Sequence, residues 1–116
     1  MTERELQDAV TELATLLGFD VYHTHDSRHS AAGFPDLVLM HERRQVVLFR
    51  ELKTELGAVS PEQARWLDGL RRAGYDTGVW RPREWLDGTV ERELRESHPM
   101  VERVPGGVRI TVLTPP

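Results

Sequence analysis

The chain has 116 residues, 39% apolar and 29% charged, with a net charge of −4 and no cysteine. That length suits one domain with a modest core, and the absence of cysteine excludes a disulfide framework and any thiolate zinc site and fits a cytoplasmic protein. No apolar run is long enough to cross a bilayer, and the polar start MTERELQDAV predicts neither a signal peptide nor a membrane partner.

Residues 1–83 carry 11 Lys/Arg and 13 Asp/Glu, and residues 84–116 carry 4 and 6. Neither part is basic, so nucleic-acid binding would need a local patch. Arg28, Arg43, Arg44, Arg65, Arg71, Arg72, Arg81 and Arg83 could supply one, or be solvated surface arginines.

In chain order, residues 3–17 read as a helix, with Leu6, Val10, Leu13, Ala14 and Leu17 on one face. Thr2 and Glu5 fit a capping box, and Gly18 ends the helix. FDVYHTH (19–25) alternates as a strand, and DSRHSAAG (26–33) reads as a loop. Two strands follow at about 36–41 and 45–53, joined by the turn HERR. Ser60, Pro61 and Gln63 open a second helix with a capping box and proline in its first turn. Ala64, Leu67 and Leu70 are expected to face inward, and Gly74 stops the helix. YDTGVW (75–80) is a fourth strand. Pro82 is expected to open a helix through about residue 96, with Trp85, Leu86, Val90 and Leu94 inward. VERVPGGVRITVL reads as a hairpin around Pro105-Gly106-Gly107.

The order α-β-β-β-α-β predicts an antiparallel meander of three strands and a right-handed parallel crossover to the fourth. The expected fold is a single α/β domain over residues 1–116. It has a mixed sheet of about four strands, a core over 3–82, and a helix and hairpin over 83–116.

Two of these strands end in charge, which is costly inside a protein unless paired or bound to a metal. On 46–53, Val47, Phe49, Glu51 and Lys53 share a face, so Glu51 and Lys53 lie roughly 7 Å apart at the backbone. Pairing through HERR brings Asp36, at the start of one strand, beside Glu51, near the end of the next. Two converging carboxylates suit a hard divalent cation, and a neighbouring lysine can orient a water or stabilise negative charge. That is the chemistry of phosphodiester hydrolysis. Glu3 lies about 60° from the centre of the first helix's apolar face and is the acid expected to point toward the sheet, whereas Glu5 caps and Glu12 faces solvent. Each residue also has a structural reading. Asp36 can be a strand-start residue, Glu51 and Lys53 an edge-strand ion pair, and Gln63 a cap.

HTHDSRH holds His23, His25 and His29, but its spacing matches no strong zinc pattern. Ser27, Arg28 and His29 could contact phosphate beside the site or form a surface loop. His25 next to Asp26 could serve as a base, though nothing in the sequence fixes that geometry. Trp66, Trp80 and Trp85 could stack on bases, but core packing suits their positions better. Gly106-Gly107 is a hairpin turn and not a phosphate loop, because no helix follows it.

Taken together, Glu3 with Leu6-Gln7, GFPD (33–36), ELK (51–53), SPEQ (60–63) with Trp66, and GVWRP (78–82) resemble the PD-(D/E)XK nuclease superfamily. Within it they are most similar to the VRR-NUC group, especially its small stand-alone phage and bacterial members. The resemblance spans residues 3–82. It implies a restriction-endonuclease-like fold and a Mg²⁺- or Mn²⁺-dependent endonuclease selective for branched or junction DNA, with a homodimer expected. Carried over by position, Asp36, Glu51 and the Leu52 carbonyl would bind the metal, with Glu3 in support. Lys53 would position or activate the attacking water, and Gln63 would be an accessory residue. The alternative is a catalytically silent nucleic-acid-binding or assembly module with the same fold, against which the intact Asp36, Glu51 and Lys53 weigh. A purely structural α/β protein is the third reading.

Overall fold

The computed structural model describes residues 1–24, 32–99, 101–104 and 106–110. The expectations for His25, Asp26, Ser27, Arg28 and His29 fall outside the described residues.

Helix α1 (Glu3–Leu16) opens with the expected capping box. The Glu5 N–H donates to Thr2 Oγ1 at 3.1 Å, and the Thr2 N–H donates to Glu5 Oε1 at 2.9 Å. These bonds satisfy two of the donors that a helix start leaves unpaired. Leu6, Val10 and Ala14 are buried at helical spacing, with Leu13 and Leu17 packed at the core's margin. Gly18 (φ +91°) then turns the chain so that Phe19 enters the core.

Four strands follow: β1 (Asp20–His23), β2 (Leu37–His41), β3 (Val46–Leu52) and β4 (Asp76–Trp80). They form one sheet in the order β1-β2-β3-β4. The pairs β1/β2 and β2/β3 are antiparallel and β3/β4 is parallel, as the element order requires. The crossover to β4 runs through helix α2 (Pro61–Arg72). A separate hairpin, β5 (Val101–Val104) with β6 (Gly107–Ile110), forms the second sheet.

The sheet's two faces have different work. Val46, Leu48 and Leu52 of β3 join Leu37, Leu39, Trp80 and the apolar stripe of α1 in the core. Alternation turns Val47, Phe49, Glu51 and Lys53 to the other face. There Phe34 lies against both Phe49 and Trp66, at ring-centroid distances of 6.1 and 5.3 Å, and Phe49 meets Tyr75 at 5.6 Å. This aromatic layer seats α2 on the sheet although no α2 residue is fully buried.

Two expectations need correction. The helix foreseen over 82–96 is two, α3 (Pro82–Leu86) and α4 (Thr89–Glu96). Gly88 breaks it at φ +85°, a conformation glycine adopts without steric cost, and Asp87 Oδ1 accepts from the Thr89 N–H at 2.9 Å to start α4. The turn docks Val90 and Leu94 in the core and leaves Leu86 outside, 79% exposed, rather than inward. Likewise Ala64 is exposed, because α2 sits over the aromatic layer on its Trp66, Leu67 and Leu70 side.

Helix α4 is bolted to the sheet by two arginines. Arg50, buried on β3, pairs with Asp76 of β4 at 2.8 Å and Glu93 of α4 at 3.1 Å and lies over the Trp80 ring. The Trp80 indole N–H donates to the same Glu93 oxygen at 2.9 Å. Arg44, in the β2–β3 turn, donates to the carbonyls of Leu94, Arg95 and Ser97. It thereby satisfies carbonyls that the helix end leaves open. Among the described residues, no helix is long and apolar enough to cross a membrane.

Candidate active site

The site is assembled by three local structures. The first is Gly33-Phe34-Pro35-Asp36. Gly33 has φ +87°, and a Cβ there would fall 2.4 Å from the backbone carbon of Glu62 and 2.7 Å from the Gln63 nitrogen. Only glycine lets this segment cross so close to the first turn of α2. Phe34 enters the aromatic layer, Pro35 is buried, and Asp36 emerges at the foot of β2.

The second is the end of β3. Leu37 pairs with Arg50, so the next register position sets Asp36 beside Glu51. The Asp36 N–H donates to Glu51 Oε1 at 3.2 Å. The Leu52 N–H donates to Asp36 Oδ2 at 2.8 Å. Lys53 Nζ stands 3.6 Å from Glu51 Oε2. The predicted meeting of Asp36, Glu51 and Lys53 is therefore the geometry observed.

The third is the start of α2. The Gln63 N–H donates to Ser60 Oγ at 3.1 Å, and the Ser60 N–H donates to Gln63 Oε1 at 2.9 Å. This capping box commits the amide oxygen of Gln63 and leaves its NH₂ as the donor end.

Glu51 is 1% exposed. Its burial, with the Asp36 carboxyl alongside, pushes its carboxyl up to about 8, the Lys53 ammonium opposing only in part. Without a cation this buried carboxyl holds a proton at neutral pH. A divalent ion would take the place of that proton, and the available donors are all oxygen: two carboxylates and the adjacent Leu52 carbonyl. Such a set fits Mg²⁺ or Mn²⁺ better than a metal that prefers nitrogen or sulfur. Glu3, the first residue of α1, is exposed rather than turned to the sheet, because the helix reaches the core only from Leu6. Among the described residues, no group of three Asp, Glu or His side chains converges on one point. The carboxylate pair thus stands without Glu3.

Lys53 has a distinction that position alone does not show. Of the 15 Lys and Arg residues, 14 are arginine and Lys53 is the single lysine. A chain that uses arginine for every other cation carries a compact, proton-exchanging ammonium only here. Counting lysines would have marked this residue from the sequence.

The structure gives partners to five of the eight arginines named for a patch. Arg44 is spent on α4 and Arg81 on the loop after Lys53. Arg71 and Arg72 pair with Asp68, and Arg83 pairs with Glu55. Trp80 and Trp85 belong to the core or its margin, and Trp66 to the aromatic layer, as core packing predicts. Two surface cavities, of about 510 and 450 Å³, lie around His41 and around Thr11, away from the three charged residues.

A family model described as the VRR-NUC domain matches residues 3–84. A solved structure titled VRR_NUC domain protein aligns over 84% of this chain and 92% of its own, with a TM-score of 0.64 at 19% identity. A second, titled VRR_NUC domain, aligns over 84% of this chain and all of its own, with a TM-score of 0.64 at 24% identity. These two bear out the fold. The Holliday junction resolvase Hjc of Archaeoglobus fulgidus aligns over 93% of this chain and 82% of its own at 20% identity, but its TM-score of 0.43 is too low to carry weight. No curated protein matches the sequence.

Proposed function

Since the chain belongs to the VRR-NUC domain family, we propose that it is a Mg²⁺- or Mn²⁺-dependent nuclease hydrolysing DNA phosphodiesters, selective for branched or junction DNA, in which Asp36, Glu51 and Lys53 form the reacting centre. The observation that carries this reading is the buried Glu51 carboxyl held between Asp36 and the only lysine.

Asp36, Glu51 and the Leu52 carbonyl would hold the ion, with Glu3 retained as a candidate outer support. The ion would supply Lewis-acid polarisation of the phosphate and a more acidic bound water. The protein's own part is positional. The Leu52 N–H fixes Asp36 through its Oδ2, and the Asp36 N–H fixes Glu51 through its Oε1. Each acid is thereby presented by the other's strand in one orientation. Lys53, on the Glu51 face, is placed to orient the attacking water and to stabilise charge as it builds on the phosphate. Gln63, with its oxygen committed to capping, offers its NH₂ to substrate from the α2 side. The preference for branched DNA and a homodimeric assembly rest on the family resemblance. The unit doing this work extends beyond residue 84 to include α4, because α4 is tied into the core through Arg44 and Arg50.

The test is cleavage of labelled linear duplex, single-stranded, flap and four-way-junction DNA with Mg²⁺, Mn²⁺ or EDTA. Wild type is compared with Lys53→Ala and Lys53→Arg. The reading expects metal-dependent cutting, strongest on branched substrates, reduced at least 10²-fold by both variants. Junction binding unchanged by EDTA, with no cutting of any substrate, would instead establish a silent binding module.

A further inference from the structure

In the loop that follows Lys53, Thr54-Glu55-Leu56-Gly57, three backbone carbonyls are held by one side chain. Arg81 Nη1 donates to the carbonyls of Thr54 at 2.7 Å, Glu55 at 3.2 Å and Gly57 at 2.7 Å. Three carbonyls of one turn converge on one guanidinium nitrogen. Arg81 directly follows β4, whose last residue, Trp80, accepts from the Lys53 N–H at 3.1 Å. Lys53 is therefore tied to the β4 end by its own backbone and, through the loop, by Arg81. The loop in turn folds back over the lysine. A Cβ added at Gly57 would lie 3.7 Å from Lys53 Cδ, so the backbone there passes beside the aliphatic stem with room for about one methyl group between them. A second tie flanks the first: Glu55 accepts from the Arg83 N–H at 2.8 Å and pairs with Arg83 Nε at 3.3 Å.

From this chain of contacts we propose that Arg81 is a positioning residue. By locking the 54–57 turn against the Lys53 stem, it holds the lysine ammonium at Glu51. This deepens the proposed function and rests on it only for the catalytic consequence. The physical reason is entropic. A lysine has four rotatable bonds, and an unrestrained one spreads its ammonium over many rotamers. A turn held beside the stem restricts the rotamers open to it, and small displacements of a catalytic group are costly to rate. Of the Arg81 guanidinium, Nη1 is the nitrogen committed to these backbone carbonyls.

The single lysine makes the test selective, since one ¹³Cε lysine signal reports Lys53 alone. The signal's order parameter would be measured in wild type and Arg81→Met, and the amide exchange of residues 54–57 in both and in Arg81→Lys. Mn²⁺ affinity and the KM and kcat for DNA cleavage would be measured alongside. Arg81→Met keeps the stem and removes the donors. It should lower the Lys53 order parameter from a restrained to a freely rotating value and speed exchange at 54–57 at least tenfold. It should cut kcat 10- to 100-fold, with KM and Mn²⁺ affinity changed less than twofold. Arg81→Lys, which keeps several N–H donors on one nitrogen but adds a second lysine signal, is read by amide exchange alone and should restore most of the lost protection at 54–57. An unchanged Lys53 order parameter in Arg81→Met would overturn the proposal. So would a matched loss of Mn²⁺ affinity and thermal stability, which marks a merely structural role. If wild type cuts no DNA yet the lysine loses order in Arg81→Met, the positioning stands and the nuclease reading fails.

Discussion

Asp36 and Glu51 each fix the other's strand. The Asp36 N–H donates to the Glu51 carboxylate at 3.2 Å, while the Asp36 carboxylate accepts from Leu52, the neighbour of Glu51, at 2.8 Å. This reciprocal pair closes the β2–β3 ladder where ordinary pairing ends. It also stores a conflict, because two acids are brought together with one of them buried. The conflict is resolved by a proton or by a cation.

The pH dependence of stability follows from that conflict. Glu51 has a folded pKa of about 8 against an ordinary value of 4.5, so the folded chain keeps a proton that the unfolded chain releases. The stability tied to that proton is fully present below pH 4.5, falls as pH rises, and is gone above pH 8. Glu51→Gln removes the titration while keeping the shape. In urea unfolding with EDTA present, the variant should exceed wild type by about 1–3 kcal/mol at pH 9 and lose that advantage at pH 4. Parallel pH curves for the two proteins would contradict the burial argument.

Gly33→Ala tests how the acidic segment is seated. The substitution puts a Cβ 2.4 Å from the Glu62 backbone at φ +87°, and no flexible side chain is there to yield. We expect a loss of about 2–4 kcal/mol in denaturant unfolding, with cleavage falling in the remaining folded fraction because Asp36 is displaced. A change under about 0.5 kcal/mol would show that the segment can shift without cost.

Much of this was legible in the sequence. Both capping boxes, the four-strand order and the meeting of Asp36 with Glu51 follow from local rules of helix starts, alternation and short turns. The break at Gly88 was missed because Val90 and Leu94 keep helical spacing with Leu86 across it, so periodicity runs on where the backbone does not. That Glu3 is exposed was not readable, because a helical wheel gives an angle about the axis but not how far the sheet extends beneath the first turn. The roles of Arg44, Arg50 and Arg81 were not readable. Each acts on residues 24 to 53 positions away, and nothing in local pattern distinguishes such an arginine from a solvated one.

Glu93→Ala probes the bolt between α4 and the sheet. It takes one of two carboxylates from the buried Arg50, whose Nε has no hydrogen-bond partner among the described residues, and removes the acceptor of the Trp80 indole. A loss of about 1–3 kcal/mol is expected, since truncation leaves buried donors unpaired. Cleavage per folded molecule should hold within about twofold, because the network lies on the sheet face opposite Glu51. A large rate loss at unchanged stability would mean that α4 takes part in substrate handling.

The most direct measurement is a calorimetric titration of Mn²⁺ into wild type, Asp36→Ala and Glu51→Gln at pH 7, run in two buffers of different protonation enthalpy. The account predicts wild-type binding with release of close to one proton per ion, as the ion displaces the one held by Glu51. It predicts loss of that binding in both variants. Equal Mn²⁺ binding in all three proteins, or none in wild type, would contradict the assignment of Asp36 and Glu51 as a metal site.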